Sequence, residues 1–315
     1  MYYIGVDIGG MSVKTGLVDD EGKVLYKTRV KTVLNDPEKV ISDIGDMVDE
    51  VLYKNNLTIN DISGIGIGSP GIISSAIGRI DRAYNLGWVN VDIVDMLKKR
   101  FETIVKVSND ANVAALGEAI FGVAKGYNDV VMLTLGTGVG GGVIINKKLY
   151  EGGASKGTEL GHVTLILGGE PCSCGRSGCI EAYTSATALI RDTKRAMEAD
   201  KSSKMWELVG GDIEKTDGLT SFTAFKNGDK AATKVVNNYV MYLAESMMSF
   251  MNIFRPEAMV IGGGISGQGQ YFADMIKNYL EAHDYGFKNA PKAEILIAKN
   301  GNDAGIIGAA ALIKA

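Results

Sequence analysis

Long apolar runs, basic runs, proline and cysteine are all scarce in this chain, and each scarcity removes a class of protein. No apolar stretch reaches the roughly 18 residues that a membrane-spanning helix needs. Asp7 also interrupts the opening MYYIGVDIGG where a signal peptide would need an apolar core, so the chain reads as cytoplasmic, with no membrane partner. There is no basic run and the formal net charge is −4, so nothing electrostatic draws it to DNA or RNA. Five prolines, with 46% hydrophobic and 22% charged residues, describe a globular protein, neither fibrous nor disordered. The cysteines number three. An odd count in a reducing compartment is no disulfide framework and leaves metal binding, catalysis or core packing.

Glycine, by contrast, is abundant. The 41 glycines gather at GVDIGG, GIGIGSPG, LGTGVGGG and IGGG, where they read as loops that let other groups approach the backbone. The 315 residues exceed the roughly 250 to 300 at which a single core stops growing, so two domains and a cleft are expected.

YYIGVDI, VKTGLVD and VLYKTRVK, with their β-branched residues and Gly/Asp punctuation, predict a three-stranded meander. PEKVISDIGDMVDEVLYKN predicts an amphipathic helix, SGIGIGSPG a buried strand running into a loop, VDIVDMLKKRF a helix and TIVKVSN a short strand. ANVAALGEAIFGVAKG predicts a helix begun at Asn109 and Asp110, whose side chains suit the capping position. At Asp129 the pattern starts again. VVMLTLGTGVGGGVIINKKLYEGG repeats the strand, glycine turn and strand of VDIGGMSVKTGLVDDEG, which points to two related halves. Later segments predict a long helix from about Asp229 to Phe254, a buried strand at EAMVIGGG, a helix around QYFADMIKNYLEAH, a strand at AEILIA and a closing helix at DAGIIGAAALIKA. The stretch from Arg195 to Asp217 carries no clear pattern.

Both GIGSPG (66–71) and GTGVGGG (136–142) contain G-x-G-x-x-G. That string marks a dinucleotide site only between a strand and a helix, with an acid about 20 residues on; VIINKKLY after the second reads as a strand, so NAD is not expected. No Gly-Lys-Ser/Thr ends any glycine run, so there is no Walker loop. A glycine turn between strands still lines up backbone amides for anionic oxygens. Two of them suit a triphosphate, with Asp7 holding Mg²⁺ through water. For any one turn alone the simpler account is structural, with Asp7 capping its own turn.

In order along the chain, VDIGGMSVKTGLV, GIGSPG, NLGW (85–88), SNDANVAALGE, LGTGVGGGVI, ELGH followed by CSCGRSGCIE, and IGGGIS resemble the ROK family of sugar kinases, which includes bacterial glucokinases. The resemblance runs from residue 5 to the closing helix. It implies an actin-like (ribonuclease H-like) kinase fold of two α/β domains with mixed sheets, closing over a cleft where a hexose meets MgATP. The domains expected are 1–118, with 303–315 packing back on it, and 119–302, with a zinc loop at 162–179. The resemblance assigns Asp110 as the base facing the sugar hydroxyl. It places Gly71, Asn85, Asn109, Glu159, His162 and Glu181 at the sugar, Asp7, Gly9, Gly10, Ser12, Lys14, Thr137 and Gly138 at the phosphates, and Gly263 and Gly264 at the adenosine. A homodimer or homotetramer is the expected assembly. Chemistry independently suits Asp110 to its role: a sugar hydroxyl is a poor nucleophile, and an ionised aspartate can take its proton during phosphoryl transfer. Capping the following helix is the other role open to it.

ELGHVTLILGGEPCSCGRSGCIEAY, residues 159–183, holds every cysteine and one of the two histidines. Cys172, Cys174, Cys179 and His162 make a Cys₃His set, which suits four-coordinate zinc with no place for a catalytic water; the metal is then structural. The alternative is three buried, reduced cysteines. Zinc would tie a glycine-rich loop that lacks its own core and so fix Glu159 and Glu181 at its ends, while ligation through one ring nitrogen of His162 leaves the other N–H to donate; in the family that second nitrogen faces the sugar. His283, in the polar EAHDYG, reads as a surface residue. The family usually has Thr after the two glycines of its first loop. This chain has Met11 there, leaving Ser12 as the nearest hydroxyl. The rivals within the resemblance are a sugar-responsive repressor, whose DNA-binding domain finds no room ahead of Asp7, and a non-catalytic sugar sensor, against which Asp110 stands. Glucose is the first substrate expected, with N-acetylmannosamine or a β-glucoside such as cellobiose as alternatives.

Overall fold

A computed structural model describes residues 1–153, 156–283 and 292–315. The meander is present: β1 (Tyr2–Ile8), β2 (Ser12–Asp19) and β3 (Val24–Lys31) pair antiparallel in sequence order. α1 (Pro37–Lys54) follows, begun by Asp36, whose side chain accepts from the Lys39 amide, and by Pro37, whose fixed φ suits a first turn. β4 (Ile62–Ser69) lies parallel to β1. β5 (Ile72–Ser74), β6 (Arg79–Ala83) and β7 (Trp88–Val91) then form a small antiparallel sheet that no alternation in the sequence announces. α2 (Ile93–Lys98), β8 (Val105–Asn109) parallel to β4, and α3 (Asp110–Ile120) complete this part. α3 stops at Ile120 rather than near Gly126, because the Glu118 side chain takes the Val123 amide (2.9 Å) and draws the chain out of helix.

The pattern then recurs with β9 (Val130–Leu135), β10 (Val139–Ile145) and β11 (Lys148–Leu149). Helices follow: α4 (Glu181–Thr184), α5 (Ala186–Ala199), α6 (Met205–Leu208), α7 (Thr220–Lys226) and α8 (Lys230–Phe254), the last capped by Asp229 through the Ala232 amide (2.8 Å). β12 (Ala258–Gly262), α9 (Gln270–His283), β13 (Glu294–Ile297) and α10 (Ala304–Lys314) close the chain. The first large sheet has the order β3-β2-β1-β4-β8 and the second β11-β10-β9-β12-β13. These are the same order position by position, as the repeated strand–turn–strand motif leads one to expect. The chain divides into one compact unit of Met1–Met132, Gly142–Thr158 and Ala298–Ala315 and a second of Leu133–Gly141 and Glu159–Ile297. Among the described residues no helix is long and apolar enough to cross a membrane.

Residues 195–217, patternless in sequence, contain the end of α5, α6 and a helical turn at Ile213–Lys215. Met197, Met205 and Val209 pack there with Ala224 and Ala232. Elements of three and four residues show no period, which is why they are silent in sequence.

α10 packs on the first sheet backbone to backbone. A Cβ at Gly5 would lie 1.9 Å from the Ile306 carbonyl oxygen, and one at Gly66 would lie 1.8 Å from that of Ala309. Gly66→Ala must therefore push helix and strand apart, at a cost of about 3 kcal/mol, the upper end for overpacking. The midpoint of urea unfolding should fall accordingly; an unchanged midpoint would show that α10 moves freely.

Candidate active site and metal centre

In the first unit, β1 turns through Gly9, Gly10 and Met11 into β2. Thr32, just beyond β3, clasps this turn: its hydroxyl donates to the Gly9 carbonyl (2.6 Å) and its amide to that of Met11 (3.2 Å). The amides of Gly10 and Met11 have no acceptor among the described residues, so the turn presents two N–H donors, as an anion nest does. The Met11 side chain is 87% exposed and fills no core. Asp7 and Lys14 stand directly opposite in the β1–β2 register, and their charged ends lie 3.1 Å apart, as a cross-strand ion pair. The Asp7 carboxylate thus reaches along the sheet and does not cap its own turn.

β8 runs into α3 with Asn109 as the N-cap. Its Oδ1 accepts from the Ala111 amide (2.9 Å) and its Nδ2 donates to the Gly71 carbonyl (3.1 Å), which leaves one N–H and one lone pair for another partner. Asp110 is the first residue of α3 and is exposed; its Oδ1 also meets the Ala111 amide (2.8 Å). The cap is therefore chiefly Asn109, and the Asp110 carboxylate sits where the helix N-terminus favours an anion. Asn85 is exposed on the turn Tyr84–Leu86, and no side-chain hydrogen bond joins it to Asn109 or Asp110 among the described residues. Behind this corner Glu151 accepts from Ser108 (2.7 Å) and Ser75 (2.6 Å), partners 43 and 76 residues away that local sequence cannot reveal. Nearby, Asp81 pairs with Lys156 and Arg79 and accepts from Ser74. Lys156 foremost holds its carboxyl well below the usual range.

In the second unit, the turn Gly136–Gly138 between β9 and β10 repeats the arrangement. Gly136 donates to the Gly138 carbonyl (3.0 Å), while α5 clasps the turn from outside: the Ala186 amide donates to Gly136 (2.8 Å) and the Thr187 hydroxyl to the Thr137 carbonyl (2.7 Å). The amides of Thr137 and Gly138 have no acceptor among the described residues, and the Thr137 side chain is exposed. Glu181 bridges this turn to the cysteine loop. Its Oε2 accepts from the Val139 amide (3.0 Å) and its Oε1 from the Ser173 hydroxyl (2.6 Å). Sequence reading passed over Ser173, a serine without a motif. Gly263 and Gly264 follow β12, where the Ser266 hydroxyl holds the Gly263 carbonyl (2.7 Å).

The ligand atoms of His162, Cys172, Cys174 and Cys179 lie within 4.8 Å of one another. Cys172 Sγ is 3.5 Å from His162 Nδ1, and the Sγ atoms of Cys174 and Cys179 are 3.7 Å apart. A zinc tetrahedron with bonds of about 2.3 Å to sulfur and 2.0 Å to nitrogen has edges of about 3.8 and 3.5 Å, so the set fits zinc. Burial pushes the Cys179 thiol up to about 12, with the adjacent cysteines adding to the shift. The Arg176 amide foremost draws the Cys174 thiol down. Such a buried thiol becomes a stable thiolate when a cation is bound to it. Because Nδ1 faces the thiols, Nε2 is the ring nitrogen of His162 left for another partner. Glu159, just ahead, is exposed and makes no side-chain hydrogen bond among the described residues. Glu170 also fastens the loop, through Arg195 (2.5 and 3.3 Å) and through its own amide to the Tyr183 hydroxyl (2.7 Å). His283 is exposed at the end of α9, stacked on Tyr279 at 4.0 Å, the surface position expected.

The duplicated mixed sheet, with a clasped glycine turn after the first strand of each copy, is the actin-like ATPase fold. The chain belongs to the ROK family, whose model matches residues 3–315. It is similar to the glucokinase of Halalkalibacterium halodurans, at 36% identity over 318 residues, covering 99% of this chain and 95% of that protein. It is similar also to the glucokinase of Thermotoga maritima, at 38% over 314 residues, covering 99% and 96%. Among solved structures it resembles a ROK family glucokinase from Streptomyces griseus in complex with glucose and AMPPNP, with a TM-score of 0.83, 32% identity and 99% of each chain covered.

The metal centre makes a direct prediction. The purified protein should carry one zinc ion per chain, since one four-ligand set is present among the described residues. Cys174→Ser should lose it, while Glu159→Gln, which removes no ligand, should keep it. Elemental analysis decides this, and Cys174→Ser with undiminished zinc would show that the metal is not held by this set.

Proposed function

We propose that this protein transfers the γ-phosphoryl group of ATP to a hydroxyl of glucose, giving glucose 6-phosphate. The observation that carries the proposal is the exposed Asp110 carboxylate beside the N-cap Asn109, in a chain aligned almost end to end with glucokinases. Asp110 accepts the proton of the attacking hydroxyl. Asn109, with the N–H and lone pair that its capping bonds leave over, orients the sugar, as do Glu159 and His162 Nε2. Gly71, Asn85 and Glu181 complete the proposed sugar contacts. Glu181, with both oxygens already engaged, acts chiefly by holding the glycine turn and the cysteine loop together.

The amides of Gly10, Met11, Thr137 and Gly138 receive phosphate oxygens, with Gly9, Ser12 and Lys14 shaping the first of these turns, and Gly263 and Gly264 receive the adenosine. Asp7 is the carboxylate placed to hold Mg²⁺ through water, and bound Mg²⁺ neutralises charge on the transferred group. His162, Cys172, Cys174 and Cys179 would hold zinc, which with all four positions filled by protein would serve to keep the loop and His162 in place. Glucose is favoured over N-acetylmannosamine and cellobiose because both relatives named are glucokinases. The cytoplasm and a homodimer or homotetramer are the proposed setting, on the family resemblance and the lack of apolar runs.

A coupled ADP assay over glucose, mannose, fructose, N-acetylmannosamine and cellobiose tests the substrate; a higher kcat/KM for another sugar would displace glucose. Asp110→Asn should keep glucose binding but lower kcat by about 10² or more, the contribution of a general base. Near-normal turnover would exclude Asp110 as the base. Met11→Thr should lower the KM for MgATP by about tenfold or more, since a hydroxyl bonded to a charged group contributes about 1.5 to 3 kcal/mol and the exposed Met11 gives up no packing. An unchanged KM would show that the amides and Ser12 suffice.

A further inference from the structure

We infer that Glu118, well away from the glycine turns in sequence, is a positioning residue for Asp7. Glu118 is wholly buried in α3, and it is held by backbone amides: Oε2 accepts from Val123 (2.9 Å), and Oε1 from both Lys299 and Asn300 (3.0 Å each). A buried carboxylate is tolerated when such donors satisfy it, and the same donors are costly to leave unpaired. Two of the three belong to the segment that starts α10. A single turn, Gly301–Asp303, follows them, tied to β3 by the Lys27–Asp303 ion pair (2.6 and 2.9 Å). The next turn carries Gly305, which lies against the Asp7 side chain: a Cβ there would be 2.4 Å from Asp7 Cγ and 2.6 and 2.7 Å from its two oxygens.

Asp7 is thereby confined between Gly305 on one side and Lys14 at 3.1 Å on the other. Further along, α10 is clamped to β1 and β4 at Gly5 and Gly66. Its first turn is the part whose place depends on Glu118. A preorganised site needs its groups held to about 0.5 Å, so displacement of that first turn reaches the Asp7 carboxylate directly. The inference rests on the proposal that Asp7 serves Mg²⁺ and the phosphates, and it adds the residue that fixes where Asp7 stands.

The test compares Glu118→Gln and Gly305→Ala with the parent protein and with Val94→Ala, a core truncation in α2 that serves as a control for loss of stability alone. Each is examined by thermal melting, by calorimetric titration with MgADP and with glucose, and by steady-state kinetics. Both test variants should bind MgADP about tenfold more weakly and raise the KM for MgATP to match, with glucose binding within about twofold of the parent. Val94→Ala should melt lower with both constants unchanged. The inference is overturned if Glu118→Gln and Gly305→Ala melt lower but bind MgADP like the parent, or if Val94→Ala weakens MgADP equally. It is also overturned if Glu118→Gln is unfolded at assay temperature, since Glu118 then holds the unit together and does no more. A parent that binds MgADP but forms no glucose-dependent ADP would instead count against the proposed reaction and leave the Glu118 comparison readable from binding.

Discussion

Because a Cβ at Gly5 or Gly66 would fall 1.9 or 1.8 Å from a carbonyl oxygen of α10, the last helix of the chain lies directly on the backbone of two central strands, and the ends of those strands are fixed with it. At the end of β1 stands Asp7. At the end of β4 the chain passes through Ser69 and Pro70 to Gly71, whose carbonyl holds the Asn109 side chain. Asn109 in turn starts α3 and sets Asp110 on its first turn. The proposed base and the proposed phosphate-side carboxylate are thus both consequences of one close contact, which only residues without side chains allow.

The second unit solves a different problem, since residues 159–180 have little core of their own. Three devices take its place: the Cys₃His set, the Glu170–Arg195 pair with the Tyr183 hydroxyl, and Glu181. Glu181 matters most for chemistry, because one carboxylate holds both the Val139 amide behind the glycine turn and the Ser173 hydroxyl within the metal loop. Whatever orders the loop therefore also orders a turn that offers amides to an anion.

Much of this was legible in sequence because its causes are local. Strands β1 to β3 carry β-branched residues between Gly and Asp turns, Asp36 and Asp229 cap α1 and α8 through amides three residues on, and the second glycine string is followed by a strand, which set a dinucleotide site aside. The duplicated sheet order appeared as a repeated motif, and the metal set as four ligands within eighteen residues. What was not legible depends on distance. Glu118 finds its amides 181 and 182 residues away, and Thr32 reaches the turn at Gly9 from 23; each is an ordinary polar residue until the fold brings its partner. The sheet of β5 to β7 was missed because its strands have three to five residues, too few to show a period of two.

The proposal stands on phosphate passing from ATP to glucose and to no other acceptor. Phosphorus NMR of the parent protein with equimolar glucose and MgATP tests this most directly. A single sugar-phosphate resonance, assigned as the 6-phosphate and rising in step with ADP, is the result this account predicts; inorganic phosphate in its place, or ATP left unconsumed, would contradict it.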